Sequence, residues 1–129
     1  MNDSLTKRYE DGAALAYLKN IRSAMQEHFI CLSIDSQGEI IASHTVFIGT
    51  VNSVISHPRE IFAAAIADHA VEIIVAHNHP SGGIMPSKQD IKTTQQLASA
   101  GQILGIPLKD HLIVTKNGYF SFLSHGLLS

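Results

Sequence analysis

VEIIVAHNHPSGGIMPSKQD, Val71 to Asp90, joins three kinds of chain in one short stretch. Val71 to Ala76 is an almost wholly apolar run, as expected of a central strand covered on both faces. Pro80, Ser81, Gly82, Gly83 and Pro86 follow as a passage able to turn sharply back towards the strand end. From Ser87 the pattern becomes helical to about Leu104, with Leu97, Ala100 and Leu104 on one face and Gly105 and Pro107 as stop signals. A buried strand leading through a tight loop into a helix is the basic unit of an α/β fold.

The flanks extend that unit. Upstream, Asp11 can cap a helix in which Leu15, Leu18, Ile21 and Met25 recur at near-helical spacing. His28 to Asp35 and Glu39 to Ile48 read as strands of a hairpin around Ser36-Gln37-Gly38. A short extended piece is expected at Val51 to Ile55. Pro58 suits the first turn of a helix whose buried face carries Ile61, Phe62, Ala65 and Ile66. Downstream, Leu108 to Thr115 and Tyr119 to Leu123 flank the turn Lys116-Asn117-Gly118. Two antiparallel hairpins within alternating helices and strands require a mixed sheet, and a three-layer α/β/α sandwich follows. Residues 1–9 are polar and expected to be flexible, and residues 10–129 form a single domain. No Gly-rich phosphate loop follows any strand, which argues against a doubly wound nucleotide-binding fold.

Composition narrows the functional classes. Of 129 residues 45% are apolar and 16% charged, enough to build a core and too apolar for disorder. The formal charge of −2, without a basic stripe, speaks against tight DNA binding by this chain alone. Cys31 is the single cysteine, so no intramolecular disulfide can form; in an apolar run, it reads as a buried structural thiol. No signal-peptide core or membrane-length apolar run is visible, so a cytoplasmic protein is expected, with no membrane partner. Eight histidines are unusual. His28, His44, His57, His69, His111 and His125 are scattered and read singly as surface or packing residues. Only His77 and His79 are clustered.

In extended chain, residues at i and i+2 point to one face, so the His77 and His79 rings can converge while Asn78 points away. Ser87 and Asp90 are neighbours on the first turn of the helix. Two histidines and an aspartate are the nitrogen and oxygen donors of a catalytic zinc site with one open position. Ser87-Lys88-Gln89-Asp90 also resembles a capping box, in which Asp90 would do no more than close the helix start. The residues alone leave both readings open.

The spacing His77-x-His79-x7-Ser87-x2-Asp90 resembles the signature of the JAMM (Jab/MPN) metalloproteases, and HNHPSG followed by PSKQD is similar to their RadC-like branch. HPREIF from His57, GIPLKDHLIV from Gly105 and FSFLSHGLL from Phe120 carry the likeness over roughly residues 25–128. The resemblance implies a cytidine-deaminase-like fold, zinc held by His77, His79 and Asp90, and Ser87 supporting the oxyanion of a tetrahedral intermediate. On this reading Ser87 begins the helix while Asp90 faces the histidines instead of closing the cap. The deaminases themselves are excluded, since their H-x-E and P-C-x-x-C signature is absent. The family's upstream glutamate opens an early strand. Glu27 matches that position, Glu39 is the alternative, and Glu60 is read as structural.

The implied activity is zinc-dependent hydrolysis of an amide or isopeptide bond in an unidentified peptide substrate. A non-catalytic MPN-type interaction domain and a DNA-repair-associated factor are the alternatives. The helix-hairpin-helix region of longer RadC-like proteins has no room here, which weakens a DNA role; the chain is a fragment or a short stand-alone form.

Overall fold

The computed structural model describes residues 12–49 and 58–128. The expected cap at Asp11, the flexible residues 1–9 and the extended piece at Val51 to Ile55 lie outside them. Residues 12–17 are helical (α1) and run into a 3₁₀ turn, Lys19–Ile21. Then follow β1 (Glu27–Ile34), β2 (Ile40–Gly49), α2 (Pro58–Ala67), β3 (Glu72–Asn78), α3 (Lys88–Leu104), β4 (Leu108–Thr115) and β5 (Gly118–Ser121).

The strands form one mixed sheet in the order β2-β1-β3-β4-β5. β1 is antiparallel to both β2 and β3, β3 is parallel to β4, and β5 returns antiparallel to β4. The fold is therefore α/β with the mixed sheet expected from the element order. β3 lies at its centre and is buried from Ile73 through Asn78, which explains its lack of apolar–polar alternation. Edge strand β2 alternates between exposed and partly buried residues.

Strand alternation builds a core on each face of the sheet. Phe29, Cys31, Ile73 and Val75 pack with Ile61, Phe62 and Ala65 of α2 and Leu97 of α3. Ile30, Leu32, Ile34, Ile74 and Ala76 point the other way and pack with Ala14, Leu18 and Ile21. Cys31 is a buried free thiol, as its apolar setting implied, and burial pushes its pKa up to about 12. After α2, Asp68 Oδ2 accepts hydrogen bonds from Ser33 Oγ at 2.7 Å and His44 Nε2 at 2.5 Å, tying that helix to the hairpin.

Several expectations shift. Met25 is 93% exposed, because the helix has already ended and the chain is turning into β1. Leu104 is about half exposed, and the close face of α3 is carried by Leu97 and Gly101 instead. Ile66 is likewise half exposed on α2. β3 runs two residues beyond Ala76, so His77 belongs to the strand.

Gly101 is where α3 meets the chain entering β4. A Cβ there would lie 2.6 Å from the Ile106 backbone oxygen and 3.3 Å from the Leu108 nitrogen. Backbone cannot yield as a side chain can. Gly101→Ala should therefore destabilise by about 1–3 kcal/mol, although alanine is the better helix former by up to about 1 kcal/mol. Denaturant unfolding midpoints test this; a stabilised variant would mean that the helix can shift freely.

Candidate metal centre

The centre is built at the carboxyl end of β3. His77 stands in register between Phe29 of β1 and Ile113 of β4, and His79 follows just past the strand. Alternation turns both rings to one side, as expected, with Nε2 to Nε2 at 3.1 Å. The loop from Pro80 to Pro86 brings the first turn of α3 back over them. Asp90 Oδ1 lies 3.2 Å from His77 Nε2, and Asp90 Oδ2 lies 3.2 Å from His79 Nε2.

Those separations fit a shared cation. An ion with bonds of about 2.0–2.1 Å to four tetrahedral ligands sets the ligand atoms about 3.3 Å apart. His79 Nδ1–H can donate to the Gly83 carbonyl at 2.9 Å, which leaves Nε2 as the lone-pair nitrogen of a neutral ring. Asp90 Oδ1 is buried and has no hydrogen-bond partner among the described residues although it faces His77. Two imidazoles and a carboxylate with one orphaned buried oxygen are a donor set that a divalent ion would satisfy.

Asp90 does both things between which the sequence seemed to force a choice. Ser87 Oγ accepts from Asp90 N at 3.0 Å while Asp90 Oδ2 accepts from Ser87 N at 2.8 Å, a complete capping box. The expectation that Asp90 would face the histidines instead of closing the cap is corrected: its two oxygens span both tasks. Burial pushes the Asp90 carboxyl up, but without an ion the facing His77 and His79 rings, when protonated, together with the Ser87 amide outweigh it and hold the group well below the usual carboxylate range. His79 is correspondingly raised by its bond to Asp90, against burial. His77 is fully buried and lowered by desolvation, against the opposing pull of Asp90.

Glu27 opens β1 beside this pair. Its carboxylate offers an oxygen within 4.8 Å of the His77 and His79 donors, so Glu27, His77 and His79 also form a group that could hold a metal. Asp90 lies 3.2 Å from both rings, at tetrahedral spacing. Glu27 is 2% exposed and neither carboxylate oxygen has a hydrogen-bond partner among the described residues. Desolvation raises its pKa to about 7, with His79 pulling it down and Asp90 pushing it up. Glu39 stands in the turn at the opposite end of β1, away from the histidines, and Glu60 is exposed on α2.

Two residues escaped the sequence reading. Asn78 points away from the histidines as foreseen, but it is a clamp. Its Oδ1 accepts from His28 N at 2.6 Å, and its Nδ2 donates to Gln26 O at 3.0 Å and Ala24 O at 3.3 Å, fixing the backbone on both sides of Glu27. His111 of β4 is buried behind His77, with Nε2 2.8 Å from His77 Nδ1. Desolvation, then His77, depresses His111 well below the ordinary histidine value.

A family model described as the RadC-like JAB domain matches residues 9–127. The chain belongs to that family. Among similar proteins of this RadC-like family, a UPF0758 protein of Bacillus licheniformis is 41% identical over 126 residues, covering 98% of this chain and 56% of its own length. YsxA, a UPF0758 protein of Bacillus subtilis, is 43% identical over 119 residues, 92% of this chain and 51% of its own. A UPF0758 protein of Methanospirillum hungatei is 45% identical over 114 residues, 88% of this chain and 51% of its own. The RadC-like chain thus spans about half the length of these curated relatives.

The unpartnered Glu27 should make stability depend on pH. Its folded pKa, about 7, lies above the ordinary 4.5, so its contribution is fully present below pH 4.5 and is lost as pH rises through 7. In chelator-treated protein, Glu27→Gln should therefore be more stable than wild type at pH 8 by up to about 3 kcal/mol, with the gap closing near pH 4. Denaturant titrations at the two pH values measure this. A gap independent of pH would show that Glu27 ionises normally.

Proposed function

We propose that this RadC-like domain is a zinc-dependent hydrolase that cleaves an amide or isopeptide bond, on the three-layer, cytidine-deaminase-like arrangement its family implies. The observation that carries the reading is the unpartnered Glu27 carboxylate beside the His77–His79–Asp90 set. A purely structural metal site gains nothing from a buried base, whereas hydrolysis needs one.

His77, His79 and Asp90 would hold the ion, as three ligands of the catalytic type. When bound, zinc supplies the Lewis acidity that polarises a carbonyl and makes water a competent nucleophile near neutral pH. Glu27, as carboxylate, takes the proton of the attacking water and passes it to the departing amine nitrogen, cleaving the C–N bond. Ser87 Oγ accepts from Asp90 N, so its own hydrogen is free to donate to the oxyanion.

Access supports a peptide-like substrate. His79 is the exposed edge of the centre, at 15% side-chain exposure against none for His77 and Asp90. A cleft of about 300 Å³ lined by Arg22, Met25, His79, Pro80 and Lys116, among others, reaches it. The formal charge of −2 favours a peptide or isopeptide over a DNA backbone as the ligand of this chain alone. No helix among the described residues is long and apolar enough to cross a membrane.

Purified protein should carry about one zinc per chain, and His77→Ala or Asp90→Ala should lose it. Glu27→Gln should keep zinc yet lower turnover of fluorogenic peptide or Lys-isopeptide substrates by about 10²–10⁴-fold. Metal analysis and initial rates read the two effects separately. Zinc that survives both ligand substitutions removes the assignment, and Glu27→Gln at wild-type rate removes the base.

A further inference from the structure

We propose that His111 and Thr94 are positioning residues that hold a hydrogen on His77 Nδ1, so that Nε2 is the nitrogen left to ligate an ion. The inference rests on the reading of this site as a metal centre, but its structural half stands apart from any ion.

The hydrogen positions follow from one carbonyl. Thr94 Oγ1 lies 2.8 Å from the Asp90 backbone oxygen and 2.6 Å from His111 Nδ1. A carbonyl can only accept, so the single hydroxyl hydrogen goes to it; otherwise two sets of oxygen lone pairs would face each other at that distance. The hydroxyl oxygen then accepts from His111, whose Nδ1 carries the hydrogen. Neutral His111 presents a lone pair at Nε2, 2.8 Å from His77 Nδ1, which must be the donor. With Nδ1 so occupied, Nε2 is the ring nitrogen that can give its lone pair to the candidate ion.

Burial and stacking protect this order. Thr94 is 1% exposed and His77 and His111 are fully buried, so water cannot replace a partner. Phe29 stacks on His77 at 5.8 Å and Phe122 on His111 at 4.5 Å, both nearly parallel, which resists ring flips. The relay starts at the main chain of Asp90 and ends on His77, so one proposed ligand orients another through α3 and β4. With the chain reversed, a hydrogen would sit on His77 Nε2 and obstruct the ion.

Imidazole ¹H–¹⁵N correlation NMR on the full chain, chelator-treated at pH 8, should find hydrogen on His77 Nδ1; a bare Nδ1 would overturn the proposal. That measurement needs no ion, so it stands even if wild type fails to bind zinc, a failure that would count against the metal centre instead. Zinc affinity by chelator competition tests the consequence. Thr94→Ser keeps the hydroxyl and should stay within threefold of wild type. Thr94→Val and His111→Phe each break the relay and should bind about 10–100-fold more weakly. Melting of the metal-free variants checks folding, and if His111→Phe does not fold, the Ser/Val pair at Thr94 decides. Folded Thr94→Val with zinc affinity within threefold of wild type would sink the idea.

Discussion

Asp90 is a buried carboxylate whose two oxygens answer to different parts of the chain. One accepts the Ser87 amide that starts α3 and also meets His79; the other faces His77. A charge with no exposure to water is tolerable only when such partners surround it. The helix therefore cannot begin elsewhere without abandoning the histidines, and the loop from Pro80 to Pro86 must have the length that closes this gap. The site geometry and the start of α3 are one constraint.

The sheet supplies the rest by register. β1 and β3 run antiparallel with Phe29 opposite His77, which carries Glu27 past the end of the ladder to the level of His79. Asn78 then holds the backbone around Glu27 from the other face of the same strand. Successive residues at the end of β3 thus face opposite sides: His77 and His79 towards the candidate metal centre, Asn78 towards the backbone around Glu27. Had the pairing slipped by one residue, Glu27 would have turned to the wrong face.

What could be read from sequence follows the same division. His77, His79, Ser87 and Asp90 lie within a short span, and strand and helix periodicities alone bring them near each other. The mixed sheet and most elements were equally local, carried by apolar runs and by turns such as Lys116-Asn117-Gly118. Glu27 lies 50 residues upstream of His77, and only family resemblance could select it over Glu39, because antiparallel register leaves no trace in spacing. His111 offered only a lone histidine in an apolar strand, a pattern that usually means packing. Its partners, Thr94 and His77, lie on other elements. Met25 and Leu104 misled because helical spacing continues in the sequence after the helix face has stopped meeting the core.

The unequal burial of the two histidines gives the centre a direction. His77, Asp90 and Glu27 are sealed beneath β1, β4 and α3, and only the outer edge of His79 meets solvent. Among the described residues the candidate centre opens at that edge, so His79 stands as its door and His77 as its floor.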